Sequence, residues 1–319
     1  MQPILNPSLS LVVPVYGNEA SIEALLDAIR AISDRAGPGF EAVFVVDGSP
    51  DRSYAILRDR LPEAGFSSRL ISLSRNFGSF SAIRVGLEKA RGDVIAVMAA
   101  DLQEPPDLVL SFFEALRNDA HDVAFGVREQ RFDPWLSRLA SNVFWSLYRR
   151  FVISDIPKGG VDIFAVTARF RDRVIKLTES HASLLAQLFW LGGRRAFVGY
   201  QRRARAHGKS AWTLRKKIRY LSDSVFAFTD LPVRVLIAIG GVSMLVAFVL
   251  GIITLAAKLS GLVPVPGYAG TMLAILFFSA FNSLALGVVG MYAWRAFENT
   301  KGRPLAVIQS EEMFDEESA

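Results

Sequence analysis

Two long runs without a charged residue constrain the second half of this 319-residue chain. Each run, Val235 to Ala257 and Met272 to Trp294, is 23 residues long. As a helix, that length is enough to cross the roughly 30 Å hydrocarbon core of a membrane. A pair of buried core helices is the alternative, but such helices seldom stay uncharged beyond about 14 residues. We therefore predict a domain of two transmembrane helices at residues 233–296.

Basic residues are distributed unevenly around these two runs. Almost all Lys and Arg residues precede Val235 or follow Trp294, and the connection SGLVPVPGYAG between the runs is uncharged. By the positive-inside rule, both termini lie in the cytoplasm and the short connection lies outside. The sequence thus predicts a multi-pass protein of the inner (plasma) membrane with a cytoplasmic tail at residues 297–319. The acidic end of that tail, from Glu311, is expected to be disordered.

A basic segment precedes the first apolar run. From Arg194 to Arg219 the chain carries ten Lys or Arg residues and no acid. The stretch at 213–232 is amphipathic, a pattern typical of a helix that lies in the membrane interface, where anionic lipid contributes roughly 1 kcal/mol per basic residue. Nucleic acid is the rival partner for a basic run, but the position of this one just before a span argues against it. We predict no nucleic-acid partner.

The first part of the chain alternates short β-rich runs with helical patterns. Predicted strands are residues 10–16, 40–49, 69–76, 93–101 and 122–128, and predicted helices begin at Ser21, Asp51, Phe80 and Leu108. Repeated βα units imply a parallel sheet with helices on both faces. We predict a Rossmann-like α/β catalytic domain with a mostly parallel sheet over residues 1–212.

Polar residues lie at the end of each predicted strand. They are Tyr16 to Glu19, Asp47 to Ser49, Ser74 to Asn76, Asp101 and Arg128. Because ligands of such sheets bind beyond the carboxyl ends of the strands, these side chains are expected to meet at one edge. This convergence is a stronger signal than any one of the motifs.

The stretch AADLQEPPD raises the question of a metal site. Asp101 is the first acid after an apolar run, and two prolines follow it. It is either a turn residue or a ligand, and two alanines beside it offer no help in holding a cation. The chain contains no cysteine, which excludes disulfides, thiolate catalysis and cysteine-ligated zinc, and its three histidines have no metal-ligand spacing.

Five motifs occur in order along the chain. They are PVYGNE (14–19), DGSPDRS (47–53), SRNFG (74–78), AADLQEPPD (99–107) and RRARAHGKS (202–210). In this order and spacing, and with two apolar runs behind them, the chain resembles the family 2, GT-A fold glycosyltransferases. Within that family it resembles the polyprenyl-phosphate transferases, the dolichol-phosphate mannose synthase and bactoprenol glucosyltransferase type. The resemblance covers residues 9 to about 300.

The resemblance implies a site for a nucleotide sugar at the first three motifs. Its residues would be Pro14, Tyr16, Glu19, Asp47, Arg75 and Asn76, together with Asp101 and Gln103. Family members usually carry two acids before Gly-Ser, and here Val46 stands in the first position. Each motif also has a plainer interpretation, namely a turn, a helix cap or an ordinary loop.

The resemblance also implies a divalent cation, Mg²⁺ or Mn²⁺, at the fourth motif. The usual motif supplies two acids, but Ala99 replaces the first, so Asp101 remains as the metal ligand. Mg²⁺ tolerates such a site, because it commonly keeps several waters and takes one or two carboxylates plus phosphate oxygens.

Acceptor contacts are implied further along the chain. GGVDIFAV (159–166) resembles the segment in which the family carries an acceptor-side acid, here Asp162, as a general base or a residue that orients the acceptor. A phosphate has its second pKa near about 6, which weakens the base interpretation. The resemblance assigns lipid phosphate or diphosphate to Arg128, Arg131, Arg202, Arg205 and Ser210. Solvated surface residues are the alternative.

These features together predict a membrane-bound inverting glycosyltransferase. It would move a sugar from a nucleotide diphosphate, with UDP expected, to a polyprenyl phosphate, with undecaprenyl phosphate expected. One rival is a processive polysaccharide synthase, for which two spans look too few. The other is a degenerate transferase that binds ligands or partners without catalysing transfer. This alternative stays open because Val46 and Ala99 stand where the family usually carries acids. Small residues in both spans are compatible with a homo-oligomer.

Overall fold

The computed structural model of the chain describes residues 8–129, 146, 148–150, 153, 155–157, 161, 163–179, 182–202, 222–260 and 267–315. Of these, residues up to 202 and from 303 onward form one compact unit, and residues 222–302 form a second.

An eight-stranded sheet forms the centre of the first unit. Its strands are β1 (Leu9–Val15), β2 (Glu41–Val46), β3 (Ser67–Leu73), β4 (Val94–Val97), β5 (Val123–Arg128), β6 (Phe164–Thr167), β7 (Arg195–Tyr200) and β8 (Ile308–Phe314). They lie in the order β7-β5-β6-β4-β1-β2-β3-β8. β6 is antiparallel to β4 and β5, and β8 is antiparallel to β3, while the other pairings are parallel. The predicted mostly parallel α/β sheet is therefore confirmed.

Helices connect the strands of this unit. They are α1 (Ile22–Ala36), α2 (Ser53–Arg60), α3 (Ser79–Lys89), α4 (Pro106–Leu116), α5 (Ala168–Val174) and α6 (Leu184–Trp190). In α1 the predicted apolar stripe is buried, because Ile22, Leu25, Leu26 and Ile29 recur at the helical period. β1, β2, β3 and β4 end earlier than the sequence predicted, whereas β5 ends at Arg128 as predicted. β4 ends at Val97 rather than at residue 101, so the polar motifs lie in loops beyond the strands.

A buried polar residue fixes the start of the central strands. Ser10 of β1 is fully buried, and its hydroxyl donates to Glu41 Oε1 at 2.6 Å and accepts from Gly92 N at 2.7 Å. Glu41 begins β2, and Gly92 precedes β4. One hydroxyl therefore joins the beginnings of three neighbouring strands and satisfies a backbone group that the core would otherwise isolate from water.

Residues 311–314 of the acidic tail are ordered in a strand, so the prediction of disorder from Glu311 was wrong. Residues 308–314 form β8, which pairs along β3 from Ser68 opposite Phe314 to Leu73 opposite Ile308. Glu311 forms ion pairs with Arg69 and Lys89, so its charge is neutralised by side chains far away in the sequence.

The second unit contains two long apolar helices, α7 (Leu231–Leu259) and α8 (Tyr268–Thr300). Within them, Leu231–Ile253 and Phe277–Thr300 are long and apolar enough to cross a membrane. Residues 222–228 are also helical. Phe226 packs edge-on against Tyr292 at 5.4 Å, and Arg295 pairs with Asp223 at 2.6 Å, which joins this segment to α8. Of the predicted interfacial helix at 213–232, residues 213–221 lie outside the described residues.

We predict that Ser10→Ala destabilises the fold, because it leaves the buried Gly92 N–H without its acceptor. The free energy of unfolding should fall by about 1–3 kcal/mol. Chemical denaturation of the full-length protein in detergent measures the loss. Ser111→Ala, on the exposed side of α4, is the control and should change stability by less than about 0.5 kcal/mol. Equal stability of the two variants would contradict the assignment.

Candidate active site

The carboxyl ends of five strands meet at one edge of the sheet. β1, β2, β3 and β4 run parallel, and β5 runs in the same direction because β6 lies antiparallel to both β4 and β5. The loops that follow these strands carry the polar motifs. The predicted convergence of the motifs on one sheet edge is therefore present.

Asp47 lies at the centre of this edge and is 2% exposed. Its Oδ1 accepts from Phe77 N at 2.7 Å and its Oδ2 accepts from Gly78 N at 2.8 Å. Burial raises the pKa of Asp47, while these two hydrogen bonds and the charge of Arg75 act in the opposite direction. In this structure Asp47 therefore orders the SRNFG loop. Its predicted contact with a base or ribose stays a prediction.

Gly48 lets the two loops approach closely. It has φ +55°, and a Cβ at this position would lie 2.3 Å from Arg75 C and 2.5 Å from Asn76 N. Both atoms belong to the backbone, so a side chain could be accommodated only by moving the loop. The glycine of DGSPD is thus required by the neighbouring backbone as well as by its own conformation.

Hydrogen bonds also join the first two motifs. Gly17 N donates to Ser49 Oγ at 2.8 Å, and Glu19 N donates to Asp51 Oδ2 at 3.0 Å. In return, Arg52 N donates to Glu19 Oε2 at 3.0 Å. Glu19, predicted to contact nucleotide, thus accepts a hydrogen bond just before α2. The loops after β1 and β2 form one hydrogen-bonded layer.

Asp51 is a residue of this edge whose contacts the sequence reasoning did not predict. Its Oδ1 accepts from Ser49 Oγ at 2.6 Å and from Ser53 N at 3.1 Å. Partial burial opposes its ionisation, but the hydrogen bonds from Ser49, Ser53 and Glu19 outweigh burial and lower its pKa. The sequence signal was the spacing in DGSPDRS, for which a turn with Asp51 as helix cap was the plainer of two interpretations. The turn is present, and the same carboxylate also holds the loop after β1.

The residues that we predicted to bind the nucleotide differ in their exposure to solvent. Tyr16 is 48% exposed, and Arg75 and Asn76 are exposed. The Arg75 guanidinium lies 4.0 Å from the centroid of the Phe77 ring. Pro14 is half-buried within β1, opposite Val45. Stacking on Phe77 leaves the edge of the Arg75 guanidinium able to donate to a ligand.

The loop after β4 has an unusual backbone. Leu102 has φ +54°, which is rare for a residue other than glycine and costs about 1 kcal/mol. Asp101 is half-buried, and its Oδ1 accepts from Gln103 N at 3.3 Å, as in an Asx turn. Ser21 at the start of α1 donates to Ala100 O at 3.1 Å and links this loop to the region after β1.

An arginine two residues after β7 reaches this loop. Arg202 Nη2 donates to Gln103 Oε1. Arg202 and Gln103 were both predicted as site residues, from motifs about 100 positions apart, and the fold brings them into contact. Arg128 lies at the carboxyl end of β5, half-buried. The other predicted residues, Arg131, Asp162, Arg205 and Ser210, lie outside the described residues.

The donor set after β4 is compatible with a hard divalent cation. Among the described residues, no group of three or more His, Cys, Asp or Glu side chains could hold a metal. Asp101 offers a carboxylate and Gln103 an amide oxygen, both of the oxygen type that Mg²⁺ and Mn²⁺ prefer. With so few protein oxygens, water and phosphate would have to supply the remaining ligands.

Comparison with known proteins identifies the family. Residues 10–176, more than half of the chain, match the family described as Glycosyl transferase family 2. The chain belongs to glycosyl transferase family 2 and is a glycosyltransferase. The predicted family resemblance, α/β fold class and enzyme class are confirmed.

Full-length relatives are also similar to this chain. An undecaprenyl-phosphate 4-deoxy-4-formamido-L-arabinose transferase of Edwardsiella ictaluri is 31% identical over 311 residues, 95% of this chain and 93% of that protein. An uncharacterized glycosyltransferase of Bacillus subtilis is 30% identical over 304 residues, 94% of this chain and 93% of that protein. A glucosyl-3-phosphoglycerate synthase of Mycobacterium tuberculosis, solved with Mg²⁺ and uridine diphosphate, is 17% identical, with a TM-score of 0.48 over 68% of this chain and 79% of that chain.

We predict that Gly48→Ala disrupts the site more than Gly17→Ala. Both positions have positive φ, so each alanine costs about 1 kcal/mol in backbone strain. Only the Gly48 variant also collides with the Arg75 backbone, which should add about 1–3 kcal/mol to its loss of stability. Denaturation of both variants measures the difference. Hydrogen exchange at Phe77 and Gly78 should rise only in Gly48→Ala, and equal exchange in both variants would contradict the packing argument.

Proposed function

We propose that this protein transfers a sugar from a nucleotide diphosphate sugar, a UDP-sugar, to undecaprenyl phosphate, with inversion at the anomeric carbon. The product is a polyprenyl-monophosphate sugar for cell-envelope glycosylation. The observation that carries this proposal is the meeting of four loops at one sheet edge. Asp47 and Asp51 tie together the loops after β1, β2 and β3, and Arg202 contacts the Asp101 loop after β4.

The nucleotide would lie against the loops after β1, β2 and β3. Tyr16 presents an exposed ring on which a base can stack. Arg75 and Asn76 can donate to ribose and phosphate from the loop that Asp47 holds. The absence of an acid at Val46 removes one acceptor from this area. The acceptor oxygens that remain in these loops suit the N–H and hydroxyl groups of a nucleoside.

The leaving diphosphate would lie beside Asp101 and Arg202. When bound, a divalent cation held by Asp101 and Gln103 supplies positive charge to the diphosphate oxygens. Arg202 now donates to a neutral amide, and a diphosphate is a stronger acceptor for its guanidinium. In the same proposal, Arg205 and Ser210 contact the diphosphate or the lipid phosphate.

The acceptor would enter from the membrane. A polyprenyl phosphate is already anionic near neutral pH, because its second pKa is near about 6. Its oxygen can therefore attack the anomeric carbon without a strong base. The new bond forms between this oxygen and the carbon as the bond to the diphosphate breaks on the opposite face, which inverts the configuration. Asp162 orients the acceptor, and Arg128 and Arg131 bind its phosphate.

Chain topology supports a site at the cytoplasmic face. The described residues of the first unit run up to 202 and resume at 303, and α7 and α8 lie between these two parts in sequence. A chain that crosses a bilayer and returns to its starting unit crosses an even number of times. Together with the positive-inside rule, this argues for a two-span anchor with both termini in the cytoplasm.

Transfer is tested with purified enzyme, undecaprenyl phosphate, Mg²⁺ or Mn²⁺ and a panel of labelled nucleotide sugars. We expect label from one UDP-sugar to enter the organic phase as an acid-labile lipid monophosphate. Release of a single sugar from that lipid would distinguish this activity from polymer synthesis. No transfer from any donor would sink the catalytic proposal and favour a scaffold.

Metal dependence is tested in the same assay. Asp101→Asn should lower kcat on the order of a hundredfold, and EDTA should abolish turnover. Asp107→Asn is the control, because Asp107 ends the same motif but makes an exposed ion pair with Arg35, worth at most about 1 kcal/mol. Full activity in EDTA would show that transfer does not require a metal bound by Asp101.

The sidedness of the anchor can be read by cysteine labelling, because the natural chain contains no cysteine. In intact cells, a membrane-impermeant maleimide should label Ser260→Cys, at the end of α7. Arg303→Cys, after α8, should be labelled only after permeabilisation. Labelling of both positions from outside would refute the proposed topology.

A further inference from the structure

The chain's last strand lies against the candidate nucleotide loops. β8 begins eight residues after the end of α8 and pairs antiparallel with β3, the strand that leads into the SRNFG loop. Just before β8, Val307 O accepts from Ser74 N at 3.0 Å. Ser74 is the first residue of SRNFG. The loop is therefore held at one end by the C-terminal segment and at the other by Asp47, through Phe77 and Gly78.

Glu311 connects β8 to both elements that flank this loop. It forms ion pairs with Arg69 of β3 and with Lys89 at the end of α3. The Arg69 side chain is only 9% exposed, so the pair is well shielded from solvent. Partial burial opposes the ionisation of Glu311, but the hydrogen bonds from Lys89 and Arg69 outweigh it and lower its pKa.

Glu312 makes the corresponding connection to the DGSPDRS loop. Its carboxylate accepts from Tyr54 Oη at 2.6 Å and from Arg58 Nε at 3.1 Å. Tyr54 and Arg58 lie on α2, the helix that follows DGSPDRS. Because neighbouring residues of a strand point to opposite faces, Glu311 and Glu312 reach helices on the two sides of the sheet.

We propose that β8 is a positioning element for the nucleotide site, and that Glu311 and Glu312 are positioning residues that act through β3, α3 and α2. This inference rests on the proposed function, in which the loops after β2 and β3 bind the donor. The simplest alternative is that β8 only covers the edge of β3 against unwanted pairing. Edge protection requires backbone pairing alone. It does not require acids that reach the helices behind both loops.

The test compares full-length variants in detergent. Glu311→Gln combined with Glu312→Gln removes both ionic connections and keeps the strand. Tyr54→Phe is a milder second variant, which removes only the hydroxyl that contacts Glu312 and Ser310. Asp59→Asn is the matched control, because it removes one charge from an exposed position of the same helix α2.

Two measurements separate positioning from simple stabilisation. The first is hydrogen exchange of the peptide containing residues 74–78, compared with β5 as an internal reference. The double variant should exchange about tenfold faster in that peptide, with β5 unchanged. The second is steady-state transfer, in which KM for the donor should rise about three- to tenfold while kcat and KM for the lipid acceptor stay within about twofold. Tyr54→Phe should show smaller changes in the same direction, and Asp59→Asn none.

The outcomes are distinct. Faster loop exchange with a raised donor KM supports the proposal. Unchanged loop exchange in the double variant overturns it, as does faster exchange with wild-type donor KM, since β8 would then stabilise the fold without positioning the site. If the wild-type protein transfers no sugar, the proposed function fails, and the exchange comparison still decides whether β8 orders the loop.

Discussion

The parallel pairing of β1 with β2 and β4 is the constraint on which the candidate site depends. Pairing of residues 10–15 with 41–46, and of residues 9–12 with 94–97, brings three strand ends to one edge. A slip of one residue would turn every side chain of a strand to the other face of the sheet. Ser10 opposes such a slip, because one buried hydroxyl contacts both Glu41 and Gly92. The position of the DGSPD and AADLQEPPD loops therefore follows from contacts at the far end of the same strands.

Within the site, Asp47 holds the SRNFG loop in place, although the burial of its charge is energetically unfavourable. Burial raises the pKa of this carboxyl, so folding favours its protonated form. Its ionisation therefore makes folding less favourable as the pH rises through its pKa. A neutral side chain would avoid that cost, but two backbone N–H groups, of Phe77 and Gly78, point at the carboxylate and require two acceptor oxygens. The arrangement is better explained by the need to order the SRNFG loop than by stability.

Local patterns were sufficient to predict five of the eight described strands and the two apolar helices, but not β6, β7 or β8. The alternation of β-rich and helical runs predicted the parallel sheet, and the length of the two uncharged runs predicted α7 and α8. They could also predict which loops meet, because the carboxyl ends of parallel strands share an edge. They could not predict the contacts between loops. Asp51 was recognised only as a turn residue, since its bond to the backbone of Glu19 joins positions 32 residues apart.

The error about the acidic tail has a related cause. Consecutive acids near a terminus usually indicate a solvated segment. Here the partners of Glu311 and Glu312 lie 222 to 258 residues earlier in the chain. A local sequence pattern cannot indicate partners that lie so far apart in the chain. One signal was present in β3, where Arg69 occurs within a run that is otherwise buried. A charged residue in such a strand needs an acid of opposite charge, because an isolated buried charge is very costly.

That need also explains why the chain continues beyond its second apolar helix. Without β8, Arg69 would lose its shielded carboxylate, and the outer edge of β3 would present unpaired backbone groups. Glu311 satisfies the first requirement and the backbone of residues 308–314 satisfies the second. The two apolar helices are thus an insertion between the last strands of one sheet, β7 and β8, rather than an extension at its end.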